Sequence, residues 1–138
     1  MRVVILGCGR TGSAIASSLA AEGDRVSVID QEKSHFSRLT ASHLESGSVS
    51  VVEGDGTISS TLAMAQVEDA DLFVALTGQD TVNALAAQKV RAIFDIKQIV
   101  IRVKDPSLGE MYSSLGYDVY CPTENAVSEI VESLNREM

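Results

Sequence analysis

The chain alternates short, continuous apolar runs with longer stretches in which apolar residues recur at helical spacing. The first run, V-V-I-L over 3–6, is rich in β-branched residues and ends in glycines. A helical stretch over about 11–21 follows and stops at Gly23. R-V-S-V-I-D over 25–30 reads as a second strand, then a helix over about 31–45 is closed by Gly47. S-V-S-V-V-E over 48–53 is a third strand, after which G-D-G-T opens a helix running to about 66. D-L-F-V-A-L-T over 71–77 predicts a fourth strand, 80 to about 94 a fourth helix, and Q-I-V-I-R-V over 98–103 a fifth strand. Pro106 suits the first turn of a short helix, where its missing N–H costs nothing. Residues 117–120 make a brief sixth strand, and Pro122-Thr123 start a final helix that runs nearly to the end.

Most of these strands are apolar throughout rather than alternating in and out, as expected when both faces of a parallel sheet are covered. Right-handed crossovers then give an α/β, Rossmann-like, doubly wound sheet of six strands in the order 3-2-1-4-5-6. The 138 residues are used up by that sheet, so one domain over 1–138 is expected and no internal linker is visible.

Composition narrows the partners. The formal charge is −8 and basic residues are scattered, which argues against nucleic acid and against anionic membrane surfaces. The longest apolar runs, such as 72–76, are far too short to span a bilayer, and the start of the chain is not a signal peptide. Cys8 and Cys121 form neither a C-x-x-C pair nor a zinc spacing, so reduced thiols in a cytosol are the simplest reading.

The chemistry concentrates where strands end. Gly7-Cys8-Gly9-Arg10-Thr11-Gly12 lies between the first strand and the first helix. In such a turn the first glycine allows the sharp bend, the second lets a diphosphate approach the backbone, and the third lets helix and strand pack closely. The helix start presents free N–H groups and a partial positive charge to phosphate. Asp30 closes the second strand at the offset expected of a carboxylate that accepts from ribose hydroxyls, and it argues against a 2′-phosphate and hence against NADP. Cys8 reads as a small filler rather than a redox thiol.

Gly54-Asp55-Gly56-Thr57 and Leu76-Thr77-Gly78 fall on the same edge of the sheet. Asp55 and Thr57 either line a ligand or form a turn and helix cap. Thr77-Gly78 either contacts ribose or phosphate or turns the chain. Arg102, inside an apolar strand, needs a partner: an aspartate, a phosphate or a neighbouring subunit. His35 and His43 fall on one predicted helix away from this rim and read as solvated surface, with no i, i+4 metal spacing. No catalytic set is evident, so binding without turnover is expected. Ala126, Val127, Ile130, Val131 and Leu134 stripe one side of the final helix, which packs either on its own sheet or on a partner.

Six segments together carry a resemblance: M-R-V-V-I-L-G-C-G-R-T-G, V-S-V-I-D-Q-E, V-V-E-G-D-G-T, A-D-L-F-V-A-L-T-G-Q-D-T-V-N, I-V-I-R-V-K-D-P and L-G-Y-D-V-Y-C-P. In this order the chain resembles the RCK (KTN, or TrkA-N) domain of bacterial and archaeal Trk/Ktr potassium-uptake regulators. That resemblance implies a cytosolic regulatory module that binds NAD(H) or ATP/ADP. It also implies a homodimer or larger ring beneath a membrane potassium channel or transporter, held at the inner face of the membrane through that partner. By the same resemblance Gly7, Gly9, Arg10, Thr11 and Gly12 hold phosphates, and Asp30, beside Gln31, holds the ribose. Asp55 and Thr57, flanked by Gly54 and Gly56, line the adenine side. Leu76, Thr77 and Gly78 close the pocket, and Arg102 reaches phosphate or the neighbouring subunit. Full-length members usually continue into a smaller C-terminal RCK domain, and this sequence stops before one. Thr123 stands where some ATP-binding relatives carry an acidic residue, so no nucleotide-associated metal is expected. The competing functions are an NAD-dependent oxidoreductase fragment without its substrate domain and a sensor attached to some other transporter.

Overall fold

Neighbouring residues of each central strand bury opposite faces, and this explains the unbroken apolar runs. The computed structural model describes residues 1–136. Its strands are β1 Arg2–Leu6, β2 Arg25–Asp30, β3 Val49–Glu53, β4 Leu72–Ala75, β5 Gln98–Arg102 and β6 Asp118–Tyr120. They form one parallel sheet in the order β3-β2-β1-β4-β5-β6, as the alternation of elements predicts. β1 is central: Val3 pairs with Val26 on one side and with Leu72 on the other.

The helices are α1 Arg10–Ala21, α2 Ala41–Ser46, α3 Ser59–Met64, α4 Asp80–Ile93, α5 Pro106–Ser114 and α6 Pro122–Arg136. One core layer joins Val4, Leu6, Ile29, Phe73 and Ile101 to Ala86, Ala87 and Val90 of α4. The opposite layer joins Val3, Ile5, Val28 and Val74 to Ala16 and Ala20 of α1. Small residues on both helices let them sit close to the sheet, and each fully buried Ile or Phe contributes about 1.5–3 kcal/mol. No helix among the described residues is long and apolar enough to cross a membrane.

Two expectations need correction. The helix read over 31–45 is instead a 3-10 turn, Lys33–Arg38, followed by the short α2. Asp30 Oδ1 accepts the Glu32 amide at 2.8 Å, and Ser37 Oγ donates to Ser34 O at 2.9 Å, so local side chains take backbone groups that a helix would use. Leu39 and Thr40 are extended, which lets Leu39 bury beside α1. The third helix starts at Ser59 rather than at the G-D-G-T turn, where Asp55 takes the Thr57 amide, and it ends at Met64. Of the two readings of the final helix, packing on its own sheet is not seen: none of the residues of α6 is buried.

Candidate functional site

The strand order reverses between β1 and β4, and at such a switch point two loops diverge and leave a crevice beyond the strands' carboxyl ends. Here that crevice is a cavity of about 630 Å³, within the usual size range for small-molecule sites. Its walls include Gly7, Gly9, Asp30, Gln31, Gly54, Gly56, Leu76, Thr77, Gly78 and Arg102, all on the predicted rim. Cys8, Arg10, Thr11, Gly12, Asp55 and Thr57 stand just behind that lining or beside it.

The three glycines of the first turn do different things. Gly7 has φ +107, a backbone state that L side chains rarely adopt, and its amide donates to Ile29 O at 2.8 Å. A Cβ at Gly12 would overlap the Gly7 carbonyl oxygen, so its role is the close approach of α1 to the turn. A Cβ at Gly9 would meet nothing within 4 Å, and Gly9 faces the cavity. Gly9 is also the N-cap of α1 with no side-chain cap, which leaves the first-turn amides of Arg10, Thr11 and Gly12 without intrahelical partners. Arg10 and Thr11 are exposed at the mouth of this turn.

Asp30, at the end of β2, is nearly buried. Its Oδ2 accepts the Cys8 amide at 2.8 Å, and its Oδ1 accepts the Glu32 amide at 2.8 Å and lies 3.0 Å from His35 Nδ1. Burial by itself would raise the Asp30 carboxyl. The amide bonds from Cys8 and Glu32 and the contact with His35 outweigh it and hold Asp30 below the ordinary aspartate value. Cys8 is fully buried, and burial, reinforced by Asp30 and opposed by Arg38, pushes its thiol up, in keeping with a filler. Arg38 Nη1 donates to Cys8 O at 3.2 Å and braces the turn from outside.

On the β3 side, Asp55 Oδ1 accepts both the Thr57 amide (2.9 Å) and the Thr57 hydroxyl (2.7 Å). Those bonds, led by the hydroxyl, lower the Asp55 carboxyl. These bonds form the expected turn, but not the expected cap: the N-cap of α3 is Ile58, not Thr57. Gly56 is where the chain crosses over Leu6, and a Cβ there would strike the leucine side chain.

On the β4 side the organiser is Asn83, fully buried in α4. Its Oδ1 accepts the Thr77 amide (2.8 Å) and hydroxyl (2.6 Å), and its Nδ2 donates to Thr77 O and Arg102 O, each at 3.0 Å. One side chain thus fixes the Thr77 turn to the end of β5. Lys104 Nζ adds a bond to Gly78 O at 2.7 Å. Arg102 lines the cavity, yet no ion pair to a carboxylate forms among the described residues, and its Nε is buried without a hydrogen-bond partner. A guanidinium without a carboxylate partner in the wall of a cavity suits an anionic guest.

Two members of the site escaped sequence reasoning. His35 lies on the rim beside Asp30, not on a distant solvated helix; the assumed helix over 31–45 would have turned it away. Asn83 was visible as the lone polar residue on the small-residue face V-N-A-L-A-A, a signal that a buried partner was needed.

A family profile described as the TrkA-N domain matches residues 3–122. The chain belongs to the TrkA-N domain family. It is 38% identical over 116 residues to the Trk system potassium uptake protein TrkA of Streptomyces coelicolor, covering 84% of this chain and 50% of that protein. It is 34% identical over 134 residues to a TrkA homolog of Methanothermobacter thermautotrophicus, covering 97% and 60%. The chain therefore spans about half the length of the curated relatives it matches. Among solved structures, the TrkA-N domain of the inner membrane protein ybaL from Escherichia coli superposes with a TM-score of 0.82 at 19% identity, covering 96% of each chain. The Kef CTD of Shewanella denitrificans, solved in an AMP-bound form, gives 0.79 at 24% identity, covering 98% of this chain and 80% of that one. The GsuK channel bound to NAD gives 0.69 at 25%, covering 88% of this TrkA-N chain and 21% of the channel.

Proposed function

We infer that this TrkA-N domain is a regulatory module that binds an adenine nucleotide, NAD(H) or ATP/ADP, on the rim and thereby controls a potassium-transporting membrane partner without turning the ligand over. The observation that carries the reading is the convergence on one cavity of an anion-seeking end and a hydroxyl-seeking end. Arg102 with its unpartnered Nε and the uncapped start of α1 form the first; the Asp30 carboxylate forms the second. Family membership and the NAD held by the GsuK channel support it.

In this reading the amides of Arg10, Thr11 and Gly12 and the Arg102 guanidinium stabilise the diphosphate. Gly9 leaves the space that lets it approach. Asp30 accepts from the ribose, and Leu6, Ile29 and Val82 give the base apolar contact. Regulation then requires that different ligands favour different arrangements of the assembled domains, since a ligand with equal affinity for two states shifts neither. The assembly surface in this reading is α6, where Val127, Ile130, Val131 and Leu134 are 47% to 60% exposed on one stripe.

Calorimetric titration with NAD, NADH, ATP, ADP and AMP tests the binding step. Binding of at least one is expected, weakened about 10- to 100-fold in Asp30→Ala, the worth of hydrogen bonds to a charged group. No binding by any of the five overturns the proposal. For the physiological step, loss of the gene is expected to slow growth at low potassium and not at high potassium.

A further inference from the structure

Asp30 has fewer vacancies than its place at the end of β2 suggests. A carboxylate offers about four lone-pair sites. The Glu32 amide and His35 Nδ1 occupy those of Oδ1, and the Cys8 amide occupies one of Oδ2, so a single acceptor position remains. A ribose diol donates two hydrogen bonds. The two amides are fixed in the backbone of the glycine turn and of the 3-10 turn. His35 alone holds Asp30 through a rotatable side chain, which is 38% exposed and lines the same cavity.

We propose that His35 is a positioning residue that competes with the ribose for Asp30 Oδ1, so that protons and nucleotide antagonise one another at this site. The inference rests on the nucleotide reading above. A neutral imidazole with its proton on Nδ1 gives Asp30 an ordinary hydrogen bond and yields it to a ribose hydroxyl. An imidazolium makes a charge-assisted bond, roughly twice as strong, and also cancels the carboxylate's charge. Acid therefore locks the pair and alkali frees it. By linkage, bound nucleotide makes His35 harder to protonate to the same extent.

The charged and titratable groups around the ring are few. Asp30 faces it from β2, and the Cys8 thiol donates to His35 O at 3.4 Å from the glycine turn. Glu32, Lys33 and Arg38 share its own turn, Arg10 opens α1, which packs on that turn, and Arg102 lines the far side of the cavity. Lys and Arg keep their charge across the histidine range, so a change of affinity there tracks the ring.

The test is the Kd of NAD, whose diphosphate does not titrate in this range, at about pH 8 and about pH 5.5, either side of the ordinary histidine pKa. The full chain is compared with His35→Gln, which keeps a donor that cannot titrate, and with His35→Ala. The native chain is expected to bind about fivefold or more weakly at the lower pH, as a charge-assisted bond replaces a neutral one. His35→Gln is expected to change less than about twofold. His35→Ala binds more tightly than the native chain in acid. NAD is also expected to move the His35 ring titration, followed by NMR, to lower pH. Binding whose pH dependence survives in His35→Gln, or a ring titration that NAD leaves in place, overturns this inference and spares the nucleotide reading. Absence of NAD binding at both pH values overturns the inference, and the ligand panel above then decides whether the nucleotide reading falls with it.

Discussion

The glycines show how differently one residue type serves within six positions. Gly12 permits contact between α1 and the Gly7 carbonyl, whereas Gly9 keeps a space open. Gly12→Ala forces the helix off the turn and is expected to cost about 3 kcal/mol, the upper range for overpacking, read as a Tm lower by about 10 °C. Gly9 has φ −80, a value alanine adopts readily, so the gain through the unfolded chain offsets the poorer N-cap and Gly9→Ala is expected to change stability by less than about 1 kcal/mol. The same methyl occupies the ground of the diphosphate, and nucleotide affinity is expected to fall tenfold or more, at least about 1.4 kcal/mol. Melting curves and titrations of the two variants check the contrast. A Gly9→Ala chain that binds as before would remove the glycine turn from the ligand site.

Among elements, α6 is the outlier. A lone helix of this length is marginal in water, yet none of its 15 residues is buried against the rest of the chain. Its stripe of Val127, Ile130, Val131 and Leu134 has the spacing of a face made for another surface. With a second copy as the cover, sedimentation is expected to give a dimer, and helicity at 222 nm to fall on dilution as dimers part. Ile130→Asp shifts the mass to that of the monomer at concentrations where the native chain is paired. An unchanged mass in this variant rules out the stripe as the contact. The segment after β2 is the opposite case. Phe36 and Leu39 do pack toward the core, but apolar spacing over 31–45 is silent on whether the backbone between them stays helical. That was settled by Asp30 taking the Glu32 amide, a contact decided by how β2 ends, and it carried His35 to the rim.

At the scale of the whole molecule, the sheet order was legible because six apolar runs separated by helices leave few right-handed arrangements. The site was legible in part for the same reason, since every strand's carboxyl end falls on one edge. What stayed hidden depends on side chains choosing among partners: Asn83 spanning Thr77 and Arg102, and Thr57 turning to Asp55 instead of capping α3. Asp30 also links the site to the stability of the fold. Its folded value is lowered, so the unfolded chain binds the proton more readily. The resulting stabilisation is complete above the ordinary value of 3.8 and is lost as pH falls through the depressed folded value. Asp30→Asn is thus expected to melt below the native chain at neutral pH, with the gap closing in strong acid. A gap that does not change with pH would mean that the charge of Asp30 contributes nothing.

The reversal of strand order beside β1 has a mechanical side as well. β1, β2 and β3 form one wing and β4, β5 and β6 the other, and the wings meet along the single seam where β1 pairs with β4. Asp30 and the glycine turn belong to the first wing, Thr77 and Arg102 to the second. A guest gripping both ends of the crevice is a rivet across that seam, and its length sets how far apart the two rims are held. A dinucleotide and a mononucleotide are rivets of different length. The wing bearing β6 leads directly into α6, so in the proposed reading a change of spacing at the rim would be passed to a helix whose apolar stripe lies open.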